Sequence, residues 1–182
     1  MQIKSLSFIL TEDCNFNCTY CRQKKEKIYL SNDTITRAVD FFFPYLTERP
    51  FIFFYGGEPL LAFDRIQHTV HRFQQVSRKQ DKNILFSLST NGALLDQPKL
   101  EFFDRHRFDV LISYDGLVQD DSRKAGTSDR THRAIDEVKN YPGITMSINS
   151  VYSPDTVSRL CESIKYIVES GQTRVRLGLC MD

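Results

Sequence analysis

Three cysteines fall within eight residues, Cys14-Asn15-Phe16-Asn17-Cys18-Thr19-Tyr20-Cys21, a CxxxCxxC spacing that lets three thiolates converge from one short loop. Iron-sulfur clusters are held by cysteine thiolates, normally four of them. A site with three leaves one iron with a vacant position, and a vacant iron is a place for chemistry. The competing reading is a structural zinc ion, which demands a fourth closed ligand. Candidates for it are Cys161, Cys180, His68, His71, His106 and His132, and none forms a second ligand pair at zinc spacing. Five cysteines is an odd number, and the tight triplet suits a metal or redox site in a reducing compartment better than a disulfide framework.

Further polar residues gather just behind apolar runs. Gly56-Gly57-Glu58-Pro59 follows the run Phe51 to Tyr55. Two glycines permit close approach of the backbone to a ligand, and Glu58 sets an acceptor beside them. The plain alternative is a strand-to-helix turn opened by Pro59. Ser89-Thr90-Asn91-Gly92 stands behind another run, and Asn-Gly is what an ordinary tight turn uses, so Asn91 reads as a turn residue first and a ligand second.

The string from Leu10 to Cys21, LTEDCNFNCTYC, resembles the signature of the radical S-adenosylmethionine superfamily. It is close to the peptide- and protein-modifying branch, the SPASM-type, anaerobic sulfatase-maturase-like enzymes. The resemblance runs from Lys4 to about Leu179. It implies that Cys14, Cys18 and Cys21 bind a 4Fe-4S cluster, that S-adenosylmethionine completes the fourth iron, and that Tyr20 lies near the adenine. Gly56, Gly57 and Glu58 look like the family's GGE motif, which binds the ammonium of the cofactor's methionine part. Asn91 falls in a turn resembling the TNG element. Ser113 and Asp115 fall in one resembling SxDG, which contacts the ribose or the methionine carboxylate. Arg123 stands where relatives carry an HDxxR-like segment, here with looser spacing and no His, and would pair with that carboxylate. Asn149 stands where relatives place a polar residue on the ribose, and Val175 to Leu179 would wall the adenine. Among the leftover cysteines, Cys180 would border the site.

The implied reaction starts with one electron from a donor such as flavodoxin or ferredoxin. S-adenosylmethionine is cleaved to methionine and a 5′-deoxyadenosyl radical, which abstracts hydrogen from a peptide or protein side chain. The protein's part is positioning and exclusion of water, and no general acid or base is assigned. Two alternatives stay open: a radical enzyme for a small molecule, and an inactive, truncated or scaffold binding module.

Such a site needs elements that carry it. Strand-like and helix-like stretches alternate along the chain, with strands expected at Ile3 to Leu10, Phe51 to Tyr55, Ile84 to Ser89, Asp109 to Tyr114, Ile144 to Ser150 and Arg174 to Leu179. The second is apolar throughout, as a strand covered on both faces should be. Helices are expected from an Asn32 or Asp33 cap toward Tyr45, from Pro59, from Pro98, and from a Ser153 N-cap with Pro154 at N1 to a close at Gly171. In the last, Cys161 falls on the apolar stripe and reads as a buried small hydrophobe. Alternation of this kind implies an α/β fold of parallel strands with right-handed crossovers, as a doubly wound sheet or a barrel. The family resemblance selects a partial (β/α)6 TIM-like barrel lacking its last helix. It makes the 182 residues one core domain without the auxiliary-cluster domain of peptide-modifying relatives, either a truncated fragment or a minimal member that borrows those parts. In a barrel, Ser87, Ser89, Asn91, Ser113, Asp115, Ser147 and Asn149 share one strand parity and would line a polar lumen.

Composition sets the bounds. The apolar share is 41% and the charged share 26%, ordinary for a soluble globular domain, and no apolar run approaches the ~20 residues that span a bilayer. A net charge of +1 offers no field to recruit nucleic acid or an anionic membrane, and Arg22, Lys24, Lys25 and Lys27 read as a solvated loop. The segment Gln2 to Leu10 reads as a strand rather than a signal peptide, which makes the cytoplasm the expected compartment.

Overall fold

The computed structural model describes residues 2–78 and 82–180. Its chain divides into two compact units, Met1–Cys14 with Lys24–Ser89, and Asn15–Gln23 with Thr90–Asp182.

The first unit is built from β1 (Ile3–Ile9), α1 (Asn32–Phe42), β2 (Leu46–Tyr55), α2 (Phe63–Ser77) and β3 (Leu85–Thr90). Its strands pair in parallel, Phe8 opposite Phe54 and Phe54 opposite Leu88. Parallel partners point to the same side, so Phe8, Ile52, Phe54, Phe86 and Leu88 form one apolar face, each no more than 6% exposed. Helices cover it: Phe73 of α2 lies 6.3 Å from Phe8 and 6.2 Å from Phe86, ring centre to ring centre. The expectation that Phe51 to Tyr55 is covered on both faces is corrected here. Phe51 and Phe53 are half-buried and Tyr55 is 44% exposed, because only the helix side of the strand is packed.

β2 also starts five residues earlier than the apolar run suggests. Register jumps from Ile3 opposite Leu46 to Ser5 opposite Phe51, and the irregular stretch takes up Pro50, which has no N–H to give to a ladder. The N-cap of α1 is Ser31, whose side chain accepts from Thr34 N–H, rather than Asn32 or Asp33, and the helix ends at Phe42 before a 3-10 turn, Phe43–Tyr45. Pro59 opens a 3-10 turn, Pro59–Ala62, and the α-helix follows at Phe63.

In the second unit come α3 (Gln97–Arg105), β4 (Asp109–Ser113), α4 (Gln119–Ser122), α5 (Ser128–Val138), β5 (Thr145–Tyr152), α6 (Leu160–Glu169) and β6 (Val175–Leu179). Here too every described strand pair is parallel. Asp96 caps α3 through Lys99 N–H, with Pro98 one residue inside the start. α5 went unread in the sequence because only Thr131, Ala134, Ile135 and Val138 are buried on it, a stripe with small and polar members.

The Ser153 cap is overturned. Ser153 O accepts from Thr156 N–H and Val157 N–H in a turn, a 3-10 stretch follows, and α6 begins only at Leu160, ending as expected before Gly171 at φ +86°. With the helix starting there, Ser163 and Ile167 become its buried residues. Cys161 faces outward, exposed rather than buried. On β6, Leu177 and Leu179 are 49% and 59% exposed although their register partners Ser150 and Tyr152 are buried.

Strand order runs β1-β2-β3-β4-β5-β6, following the sequence without the reversal that marks a doubly wound sheet. The fold is α/β with the strand order of a partial (β/α)6 TIM-like barrel. No helix of the described residues is long and apolar enough to cross a membrane.

Candidate functional site

In the first unit the cysteine loop is fastened at its base. Thr11 Oγ1 donates to Ile28 O at 2.8 Å and accepts from Asp13 N–H, while Tyr29 OH donates to the Asp13 carboxylate at 2.8 Å. That hydrogen bond is the main reason the Tyr29 phenol is held above its ordinary pKa. From the other side comes the glycine pair. Gly57 N–H donates to Thr11 O and Glu58 N–H to Asp13 O, each at 2.8 Å. A Cβ on Gly56 would stand 2.3 Å from Thr11 O, and one on Gly57 would stand 2.1 Å from Asp13 O. Gly56 moreover has φ +146°, a region that side chains rarely adopt. The close approach expected of the glycines is therefore made by the chain's own Thr11–Asp13 backbone, leading into Cys14. Glu58 is buried, and its Oε1 accepts from Leu60 N–H at 3.0 Å, capping the turn that Pro59 opens. The turn reading and the motif reading describe the same residues.

In the second unit the centre is Asp115, fully buried after β4. Its Oδ1 accepts from Arg123 Nη2 and from Val151 N–H, both at 2.8 Å. Its Oδ2 accepts from Ser122 Oγ at 2.6 Å and from Tyr20 OH at 3.1 Å. A carboxylate offers about four lone-pair sites, so all of Asp115 is spent on the protein. Arg123, 5% exposed, also donates from Nη2 to Asn149 O at 3.2 Å and lies 5.6 Å from the centre of the Tyr20 ring. Burial works against its charge, yet Asp115, then Tyr20 and Cys18, outweigh burial and hold its pKa above the ordinary value. Burial pushes the Tyr20 phenol far up, so it stays a donor. Arg123 Nε is buried with no hydrogen-bond partner, a donor aimed at nothing the protein supplies.

Thr19 is tied to Ser122 O through both its N–H and its hydroxyl. Asn91 closes its own turn, with Oδ1 accepting from Ala93 N–H, and its Nδ2 donates to Asn15 Oδ1 at 2.8 Å. It is a turn residue that also grips the cysteine loop. Ser113 and Asn149 face each other in register across β4 and β5, both half-buried. Thus Tyr20, Asp115, Arg123 and Asn149 are brought together, with Ser113 beside Asn149. Sequence reading missed Tyr29, Thr11 and Asn15, whose bonds to Asp13, Ile28 and Asn91 reach 16, 17 and 76 residues along the chain and leave no local signal. It passed over Ser122 as a ligand to Asp115.

A cavity of about 330 Å³ opens beside Tyr20, lined by Tyr20, Cys21, Arg22, Ser153, Asp155 and Cys180 among others. That is within the ~300–1,000 Å³ of small-molecule pockets. None of the five cysteines is in a disulfide, and among the described residues no three His, Cys, Asp or Glu side chains meet as one metal ion requires. A cluster asks something different, one thiolate on each of several irons. The thiol donor set, the orphaned guanidinium N–H and the cavity size fit a cluster with a small polar cofactor.

The family model described as "Radical SAM superfamily" matches residues 8–175. The chain is similar to "Radical SAM cyclopropyl synthase TigE" of Paramaledivibacter caminithermalis, 25% identical, covering 85% of this chain and 36% of that protein. It is also similar to the "Cysteine-type anaerobic sulfatase-maturating enzyme" of Clostridium perfringens, 25% identical, covering 93% of this chain and 49% of that protein. Among solved structures, "Native anSMEcpe with bound AdoMet and Cp18Cys peptide" superposes with TM-score 0.89 at 25% identity, covering 98% of this chain and 51% of that one. The chain thus spans about half or less of the length of these relatives.

Proposed function

Because the chain belongs to the radical S-adenosylmethionine superfamily, we propose that it is the core of an enzyme modifying a peptide or protein side chain. In this reading Cys14, Cys18 and Cys21 hold a 4Fe-4S cluster, and the cavity beside Tyr20 and Cys21 takes part of S-adenosylmethionine. When bound, that pair supplies a 5′-deoxyadenosyl radical, on receipt of an electron from a donor such as flavodoxin or ferredoxin. The chain's own residues do the holding. The Gly56-Gly57 clasp fixes the approach to Cys14, and Asp115 fixes Tyr20 and Arg123. Arg123 Nε stays available for a carboxylate. Since the oxygens of Asp115 are filled, its role is positioning, while Gly56, Gly57, Glu58, Asn91, Ser113 and Asn149 border the cofactor.

The observation that carries the reading is the buried Arg123 guanidinium with one unused N–H, close enough to Cys18 to interact with it electrostatically. A peptide substrate is favoured by the likeness to a solved structure that holds one. Anaerobic reconstitution with iron and sulfide, followed by an assay for 5′-deoxyadenosine with S-adenosylmethionine and dithionite, tests it. Product is expected from the wild-type chain and none from Cys14→Ala. A fully loaded cluster without product would overturn the reading.

A further inference from the structure

On the helix-free side of the first unit's strands stand large side chains that the cofactor reading does not use. Ser5, Ser7 and Ile9 of β1 and Phe51, Phe53 and Tyr55 of β2 share this face, Ser7 in register with Phe53 and Ile9 with Tyr55. Ile9 is 60% exposed and Tyr55 44%, while Phe8 and Phe54 on the opposite face are 6% and 0%. The Phe53 and Tyr55 rings are stacked, 5.8 Å between centres with 23° between planes. The ridge stands at the carboxyl ends of its strands, the end where α/β folds of this order bind ligands. Tyr55 O accepts from Leu10 N–H at 3.0 Å, and the next residues are Gly56 and Gly57 on one strand and the cysteine loop on the other.

S-adenosylmethionine brings an ammonium, a carboxylate and a sulfonium, which call for the polar residues already assigned, and an adenine ring, for which Tyr20 and the apolar side chains of Val175 to Leu179 are already assigned. A stiff aromatic stack with an isoleucine alongside calls for something apolar. Aromatic side chains of this kind are enriched in the cores of contact surfaces, because they offer much area for little conformational entropy. We propose that Tyr55, backed by Phe53 and flanked by Ile9, is a substrate-contacting ridge that receives an apolar side chain of the peptide beside the modified residue. This rests on the peptide-modifying reading above.

The chain has no tryptophan, so Tyr55→Trp introduces a single fluorescent reporter on the ridge. The probes are synthetic 13-residue peptides with a central Cys, Ser or Tyr, in paired sets flanked by Leu and Phe or by Ser and Lys. With the iron-loaded protein, the Leu/Phe set is expected to shift the emission to the blue and the Ser/Lys set to leave it in place. Tyr55→Ala should raise the KM of any modified peptide about ten-fold, well beyond its effect on the KM for S-adenosylmethionine, with Tyr55→Phe close to wild type. A blue shift with S-adenosylmethionine alone would hand the ridge to the cofactor and overturn the assignment, as would equal responses to both sets. Wild-type protein that modifies peptides while Tyr55→Ala keeps its KM overturns the assignment alone. Wild-type protein that forms 5′-deoxyadenosine yet modifies no peptide overturns it together with the peptide reading.

Discussion

At the scale of single residues, the second unit hangs on Asp115. Four donors converge on it, from Tyr20, Ser122, Arg123 and the Val151 backbone. Removing it strands a buried guanidinium, which in other buried pairs costs about 3–5 kcal/mol. Asp115→Ala is therefore expected to lose that much in urea unfolding, and the double variant Asp115→Ala/Arg123→Met should recover part of it, since the unpaired charge goes too. Gly57→Ala forces a methyl against Asp13 O, backbone that cannot swing aside. A loss of about 1–3 kcal/mol is expected, along with weaker iron retention after reconstitution, because the displaced segment leads into Cys14. Exposed Cys161 supplies the contrast: Cys161→Ser should stay within about 0.5 kcal/mol of wild type.

At the scale of elements, β1 and β2 of the first unit bury one face under helices and leave the other half-buried or exposed. Phe73 of α2 touches Phe8, Phe43 and Phe86 at ring-centre distances of 6.2–6.5 Å and has no exposure at all. Phe73→Ala should cost about 3–5 kcal/mol by opening a cavity that three other rings cannot fill. Behind β4, Tyr114 is 2% exposed, and burial pushes its phenol up to about 12. An acid whose folded pKa lies above its unfolded value of about 10 keeps its proton longer when folded. Stability is then intact below pH 10 and falls as the pH climbs from about 10 toward 12. Tyr114→Phe should flatten that alkaline fall in denaturant titrations at stepped pH, whereas an unchanged slope would assign it to other groups.

For the whole molecule, cofactor and fold are linked through mass action. A ligand at a hundred times its Kd adds about 2.7 kcal/mol to the folded state, or roughly 5–10 °C in Tm for a chain of this size. Iron-loaded protein should show that rise with S-adenosylmethionine under anaerobic melting. The triple variant Cys14→Ala/Cys18→Ala/Cys21→Ala should show none.

Legibility followed the range of the interactions. The cysteine triplet, the Gly-Gly-Glu turn and the alternation of strands and helices are local patterns, and local patterns survive in the order of residues. So the sequence by itself determined the family and the α/β class. Which carboxylate is spent on the protein, which face of β2 stays bare, and whether Cys161 or Ser163 turns inward depend on residues tens of positions away. Asp115 and Tyr20 are 95 apart, and Thr19 and Ser122 are 103 apart. Only the tertiary structure decided those, because a side chain's hydrogen-bond partners and its burial are set by what the folded chain brings beside it, and its neighbours in sequence carry no record of that.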